Sequence, residues 1–304
     1  MRSVSLLLLI ALFLSGCKKE SSPNVFVDPA LATLVPPDTI LLAGVRVQKL
    51  AQTPFWREYV QKGRVPMIAD FRKRTGLDPE KDLWEILLAS SAKEAVVLIR
   101  GKFSDMGMEP KLDLQNAQRM SYKGFTMIGD EKAAVLFLNP STAAAGPTPA
   151  LRRLVDNREN VTGVPAALQQ RIQKISSSNQ AWFAAQAGGV LPDMGGVDAG
   201  MLTGLARMSK SLTFASGGLD VSYQFSAKVD LEATDPQAAE RLGGAIRGLL
   251  GLGRLNTQDK QKEILSVFDG MHLTKAENVL HFSTDIPYSV LEKAATELPM
   301  FGVR

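Results

Sequence analysis

Few side chains in this 304-residue sequence are suited to covalent or metal chemistry: one cysteine, Cys17, and two histidines, His272 and His281. A thiolate is the soft, strong nucleophile among side chains. Cys17 ends an apolar run, and its small neighbours Ser15 and Gly16 leave room for a reaction partner. The histidines flank a turn. With that turn over 275–278, residue 272 faces 281, and Met271, Leu273, Leu280 and Phe282 take the core face. Directly opposed side chains stand about 5 Å apart, within reach of one metal ion. A zinc site needs at least three protein ligands, and nothing in the spacing recruits Glu277 or Asp285. His272 and His281 are therefore weak metal candidates, and two polar residues on a wet strand face are the ordinary reading.

Ser90-Ser91-Ala92-Lys93 has the S-x-x-K spacing of serine acyl-transfer sites, and Ser177-Ser178-Asn179 supplies an S-x-N. No Lys-Thr-Gly follows, and Ser90 closes a predicted helix where a nucleophile should open one. G-x-S-x-G, H-E-x-x-H, Walker A and G-x-G-x-x-G motifs are all missing. The sequence thus points to no catalytic constellation and to no cofactor, and a non-enzyme is the expectation.

The first residues give Cys17 its context. Met1-Arg2-Ser3 is a short positive n-region, and Val4 to Leu14 is apolar except for Ser5. As a helix that run is about 16 Å long, half of the ~30 Å hydrocarbon core, so it reads as a signal peptide over residues 1–16. Leu14-Ser15-Gly16-Cys17 resembles the lipobox of bacterial lipoproteins. That resemblance implies diacylglycerol transfer to the Cys17 thiol, cleavage before it and acylation of the new amino group, commonly with palmitate. One acyl chain holds a protein marginally, at about 0.8 kcal/mol per buried CH₂, whereas two or three hold it firmly. Lys18 rather than Asp follows the cysteine, which by the same resemblance favours the outer over the inner membrane. The expected location is the cell envelope, facing the periplasm, with the membrane as partner through the lipid.

After cleavage 288 residues remain (304 less 16), enough for one large or two modest domains. Hydrophobic residues at 45% and charged residues at 22% suit a folded protein whose stability comes from packing, since an acylated Cys17 leaves no thiol for a disulfide. The net charge of +4 is mild. It speaks against nucleic acid and suits anionic headgroups or glycans.

Residues 17–36 read as the acylated cysteine and a flexible tether, with 37–178 and 179–304 as two α+β halves. Strands are predicted at 39–47 and 95–100, helices at 49–61, 67–75, 78–90 and 112–119, and a hairpin at 122–128 and 133–138. Helical segments at 149–157 and 164–175 then lead to a strand at 181–186. That order is β-α-β-β-α-β, ferredoxin-like in character, with antiparallel sheets; whether the halves share a sheet is left open. The Pro/Ala-rich run 139–149 reads as a connector. A turn at 216–218 precedes perfect apolar/polar alternation from Leu219 to Leu231, one long half-buried strand. A hairpin at 267–274 and 279–284 and a helix at 288–297 close the chain. The mature domain resembles bacterial envelope proteins of no known activity that open on a Pro-x-Asp-Thr strand, here Pro36-Pro37-Asp38-Thr39, and repeat α+β units.

Two surface candidates remain. Arg57, Lys62, Arg64, Arg72, Lys73 and Arg74 cluster with Trp56, Tyr59 and Phe71, as a surface for headgroups or glycans would; core-facing aromatics on ordinary amphipathic helices are the plainer reading. In 188–208, Val197, Met201, Leu205 and Met208 form a helical stripe among glycines, suited to a mobile lid over an apolar cavity or to a partner groove. The expected function is a lipid-anchored, non-enzymatic binding or scaffolding module that engages another envelope protein, headgroups or a glycan. A carrier of lipids or other amphiphiles, gated by 188–208, and a metal-dependent enzyme using His272 and His281 are the alternatives.

Overall fold

The apolar runs of the sequence become strands of a single open sheet in the computed structural model, which describes residues 24–103, 117–160, 162–187, 210–257 and 262–297. Its twelve strands are β1 Leu41–Val45, β2 Leu83–Ser90, β3 Ala95–Gly101, β4 Gln118–Tyr122, β5 Phe125–Gly129, β6 Ala133–Asn139, β7 Thr142–Pro147, β8 Ala181–Gln186, β9 Leu212–Asp220, β10 Phe225–Ala233, β11 Met271–Ala276 and β12 Val279–Ile286. They run in the order β11-β12-β10-β9-β8-β1-β2-β3-β7-β6-β5-β4, and every ladder is antiparallel.

Helices cover both faces. On one, α1 (Pro29–Ala32), α5 (Thr148–Asn157) and α6 (Ala166–Ile172) pack over β1, β2, β3, β6, β7 and β8 around Leu31, Leu42, Leu87, Leu98, Leu136, Leu151, Leu168 and Trp182. On the other, α2 (Val47–Ala51), a π-helical turn (Trp56–Val60), α3 (Pro66–Thr75) and α4 (Pro79–Asp82) enclose Trp56, Leu77, Leu83 and Phe103. Farther along, α7 (Pro236–Asn256) lays Ala238, Ala239 and Leu242 on Ala233 and Leu280. Helices α8 (Lys262–Asp269) and α9 (Tyr288–Glu297) complete the described residues. Among the described residues no helix is long and apolar enough to cross a membrane.

The architecture is α+β and antiparallel, and the sheet is shared: β1 pairs with β8 across the expected boundary at 178/179. The ladders do not give ferredoxin-like halves as read: a split β-α-β-β-α-β unit sets its fourth strand beside the first and the first beside the third, whereas here β1 and β2 lie between β8 and β3, and β7 lies between β3 and β6. The segment expected as a helix at 78–90 holds one helical turn, capped by Asp78 through the Glu80 amide, and then β2. Residues 118–122 are strand where a helix ending at 119 was expected; the rest of that helix, 112–116, lies outside the described residues. The connector 139–149 contains β7, whose Ala143 and Ala144 are buried.

The tether also ends sooner than residue 36. The Val25 amide donates to Ile175 O at 2.8 Å, and Val25, Val27, Leu31 and Val35 are core residues. The alternation over 219–231 runs through a turn: Val221 is buried, Tyr223 is 93% exposed, and β9 and β10 pair on either side. Gly217 and Gly218, expected in a turn at 216–218, sit inside β9. A Cβ at 217 would stand 2.5 Å from Lys228 O, and one at 218 would collide with the Asn179 side chain.

Candidate functional site

The basic and aromatic residues singled out by the sequence are divided by the fold. Trp56 is buried, with its indole N–H donating to Glu80 at 3.2 Å, and Phe71 packs on the same core. Lys62 pairs with Glu58 at 2.6 Å, Arg64 with Glu58 at 3.3 Å and Glu292 at 3.7 Å, and Arg72 with Asp78 at 2.9 Å. Arg57, Lys73 and Arg74 are exposed. Carboxylates thus answer half of the expected basic surface. Tyr59 stacks on Phe55 with centroids 4.9 Å apart, and Phe55 stands 6.4 Å from Tyr288. With Pro54, Arg57 and Glu292 these rings line a shallow cleft of about 500 Å³. Burial, reinforced by Glu292, pushes the Tyr59 phenol up to about 12, so it stays neutral there.

A second concavity, about 180 Å³, lies between the 33–38 loop and α5. Its floor is apolar, formed by Leu34, Val35, Ala89, Val96, Ala150 and Leu154, and its rim is charged. Glu94 and Arg153 form an ion pair at the rim, next to Asn157, Arg158 and Asp38. Ser91 of the S-x-x-K run lines the same wall, but its hydroxyl donates to Glu94 O and accepts from the Lys93 and Glu94 amides at 3.2–3.3 Å. Ser91 thus closes a turn, and Ser90, the serine that opens the S-x-x-K run, is buried with its hydroxyl donating to Ser91 O at 3.2 Å. An apolar floor under a rim carrying both charges can hold a small amphiphile, and the volume is below the 300–1,000 Å³ of sites for drug-sized ligands.

Beyond the far end of α1, a polar row crosses the sheet: Gln180 at β8, Arg46 at the end of β1, Glu85 on β2, Arg100 on β3 and Thr142 on β7. Arg100 donates to Asp28 Oδ2 at 3.2 Å, Ser141 Oγ at 2.6 Å and Thr142 Oγ1 at 2.8 Å, and lies over the Trp84 ring at 5.2 Å. Arg46 donates to Ser177 O at 2.6 Å. Glu85 Oε1, between the two guanidiniums, is buried and accepts no hydrogen bond. Burial pushes the Glu85 carboxyl up to about 7; Arg46 and Arg100 oppose the shift and Asp28 adds to it.

The histidines do not face each other. Two residues, Glu277 and Asn278, close the hairpin, with Ala276 paired to Val279. Glu277 adopts φ 53°, the left-handed geometry of a tight hairpin turn. A two-residue loop in place of a four-residue one moves the register, so His272 faces Ser283 and His281 faces Thr274. His281 Nδ1 lies 2.7 Å from Asp230 Oδ1. Among the described residues no group of three or more His, Cys, Asp or Glu side chains could hold a metal ion. Cys17, Met201 and Met208 lie outside the described residues.

Sequence reasoning missed both the cleft and the polar row. Arg153 carried a faint signal, as one of two adjacent arginines on the predicted helix 149–157. Glu85 carried none, because its run was read as helix, which gives its neighbours the wrong faces.

With this geometry in hand, known structures can be compared. One crystal form of a protein named TP0453, form III, matches with a TM-score of 0.52 and 11% identity, covering 90% of this chain and 99% of that one. In fold, the chain resembles TP0453. Crystal forms I and IV of TP0453 match with TM-scores of 0.49 at 12% and 11% identity, covering 90% and 93% of this chain and 98% and 100% of the other. At such identity the likeness concerns the path of the backbone alone. No family model and no curated protein sequence matches the chain.

Proposed function

We propose that the protein is a lipid-anchored cell-envelope module that binds or scaffolds and performs no chemistry of its own, held by an acylated Cys17 and facing the periplasm. The observation that supports this reading is the position of Cys17 at the end of Leu14-Ser15-Gly16, only eight positions before Val25, the first core residue (25 less 17). At 3.3–3.6 Å per residue, that span reaches roughly 29 Å at most. The body would ride close to the membrane surface, with its exposed Arg57, Lys73 and Arg74 available to headgroups or glycans. Outer-membrane residence follows from Lys18 on the same reading. Intact mass and membrane fractionation test it: the expected result is an acylated product that starts at Cys17 and sediments with membranes, while Cys17→Ser yields an unacylated chain. A soluble wild-type product with a bare thiol would overturn the proposal.

The cleft beside α5 supports the second reading, a carrier of small amphiphiles. Its apolar floor and its Glu94–Arg153 rim suit a short chain with a polar head. Co-purified lipid identified by mass spectrometry, lost in Leu154→Arg, would favour the carrier over the scaffold. A protein that emerges free of lipid and gains no stability from added amphiphile would exclude it.

A further inference from the structure

The segment 24–36 is held to the sheet in two ways. Val25, Val27, Leu31 and Val35 are buried in the core. Asp28 does the polar work: Oδ1 accepts the Ala30 amide at 2.8 Å and caps α1, while Oδ2 accepts Arg100 Nε at 3.2 Å. Glu85 is the direct cross-strand partner of Arg100. It is half-buried, and its buried Oε1, among the described residues, accepts no hydrogen bond. The charged groups facing it are Arg46 from the end of β1, Arg100 from β3 and Asp28 from the head of α1. Lys49 on α2 is turned away to Ser177 O at 2.9 Å, and the flanking β7 and β8 positions, Thr142 and Gln180, are uncharged. Arg100 already gives its Nε to Asp28 and its Nη1 to Ser141 and Thr142, and an ionised Glu85 meets the like charge of Asp28.

We infer that Glu85 is a proton-operated latch: with its proton it is tolerated beneath the docked segment 24–36, and losing the proton favours lifting of that segment, which hydrates the carboxylate. Four buried apolar side chains keep the docked form dominant, so the proton changes how often the segment opens rather than which form prevails. The sign follows from linkage. The docked form keeps its proton up to about pH 7, whereas a hydrated Glu ionises near 4.3, so opening releases a proton and grows easier as pH rises. Between about pH 5.5 and pH 8 that difference allows up to roughly a 30-fold rise in opening. The segment also walls two concavities. Residues 33–38 form one side of the cleft beside α5, and Val25, Phe26, Val27 and Pro29 one side of a cavity of about 300 Å³ against Ile172 and Gln173 of the α6 end. Opening would expose both.

Hydrogen–deuterium exchange on the full-length protein tests the latch, with rates corrected for intrinsic exchange at each pH. The expected result is that peptides covering 24–36 lose protection by about tenfold or more between pH 5.5 and pH 8, while peptides from β1 stay protected. In Glu85→Gln the 24–36 protection should be the same at both values. Equal protection in the wild type, or a loss that persists in Glu85→Gln, overturns the proposal. Should Glu85→Gln fail to fold, a ¹³C titration of the wild-type Glu85 carboxyl decides. A midpoint near neutrality that tracks the exchange supports the latch, and a carboxyl already ionised at pH 5.5 overturns it.

Discussion

At the scale of single residues, Glu85 makes the stability of the whole fold depend on pH in a direction unusual for a carboxylate. Its folded-state carboxyl titrates near 7 because burial disfavours the charge, so between pH 4.5 and 7 the folded chain holds a proton that the unfolded chain has lost. Its contribution is therefore fully present below the unfolded value and is lost as pH rises through 7, by on the order of 2–3 kcal/mol after allowance for partial hydration. Urea midpoints at pH 5 and pH 8 should differ accordingly in the wild type and converge in Glu85→Gln. Gly44 offers a second test. A Cβ there would run into the Trp182 indole, which is 3% exposed and packed among Leu42, Leu87 and Ala184. Gly44→Ala should cost about 1–3 kcal/mol by overpacking. Adding Trp182→Leu should recover part of that loss, a coupling that a double-mutant cycle will display.

At the scale of elements, the tie between α6 and β10 can be separated from the salt bridges of the surface. Arg171 donates to Glu232 through Nε at 3.1 Å and Nη2 at 2.6 Å, with both side chains only 17% exposed, and its guanidinium lies 3.5 Å over the Phe214 ring. Removing it leaves Glu232 sheltered and unpaired. Arg171→Ala should therefore cost about 3–5 kcal/mol, whereas Lys62→Ala, which breaks the exposed pair with Glu58, should cost less than about 1 kcal/mol in the same thermal melts. Element type was legible where caps and periods agreed. Asp78-Pro79 and Asp235-Pro236 do start helices, β8 spans 181–186 as expected, and α9 spans the residues expected of it. Legibility failed where one pattern serves two structures. Leu83–Ser90 is apolar enough for either a helix or a central strand. The alternation through Val221-Ser222-Tyr223-Gln224 continues across a reversal, because a tight turn also places successive side chains on opposite sides. The glycines of α7 divide in the same way: Gly243 and Gly253 sit close against Leu280 and Phe268, while a Cβ at 244, 248 or 251 would meet open space.

At the scale of the molecule, the candidate site was less legible than the fold because it depends on neighbours far apart in the chain. The cleft beside α5 joins residues 33–38 to 150–162, and the polar row joins residues 28, 46, 85, 100 and 180; no local spacing announces either. The same long-range pairing governs cooperativity. Since β1 lies between β2 and β8, and β8 pairs with β9, the halves cannot be cut apart without exposing the edge of an interior strand. Fragments 24–187 and 210–297, expressed separately, should each lack cooperative unfolding by near-ultraviolet circular dichroism, while the intact chain melts in one transition.

Strand β1 sets a schedule as well as a shape. Leu41 finds one neighbour, Ser90, 49 positions later and the other, Ala185, 144 positions later. In a chain that emerges amino end first, its apolar Leu-Leu-Ala-Gly-Val edge must wait, half matched, until nearly two thirds of the polypeptide has appeared. Throughout that interval it is the stretch most in need of a chaperone's cover.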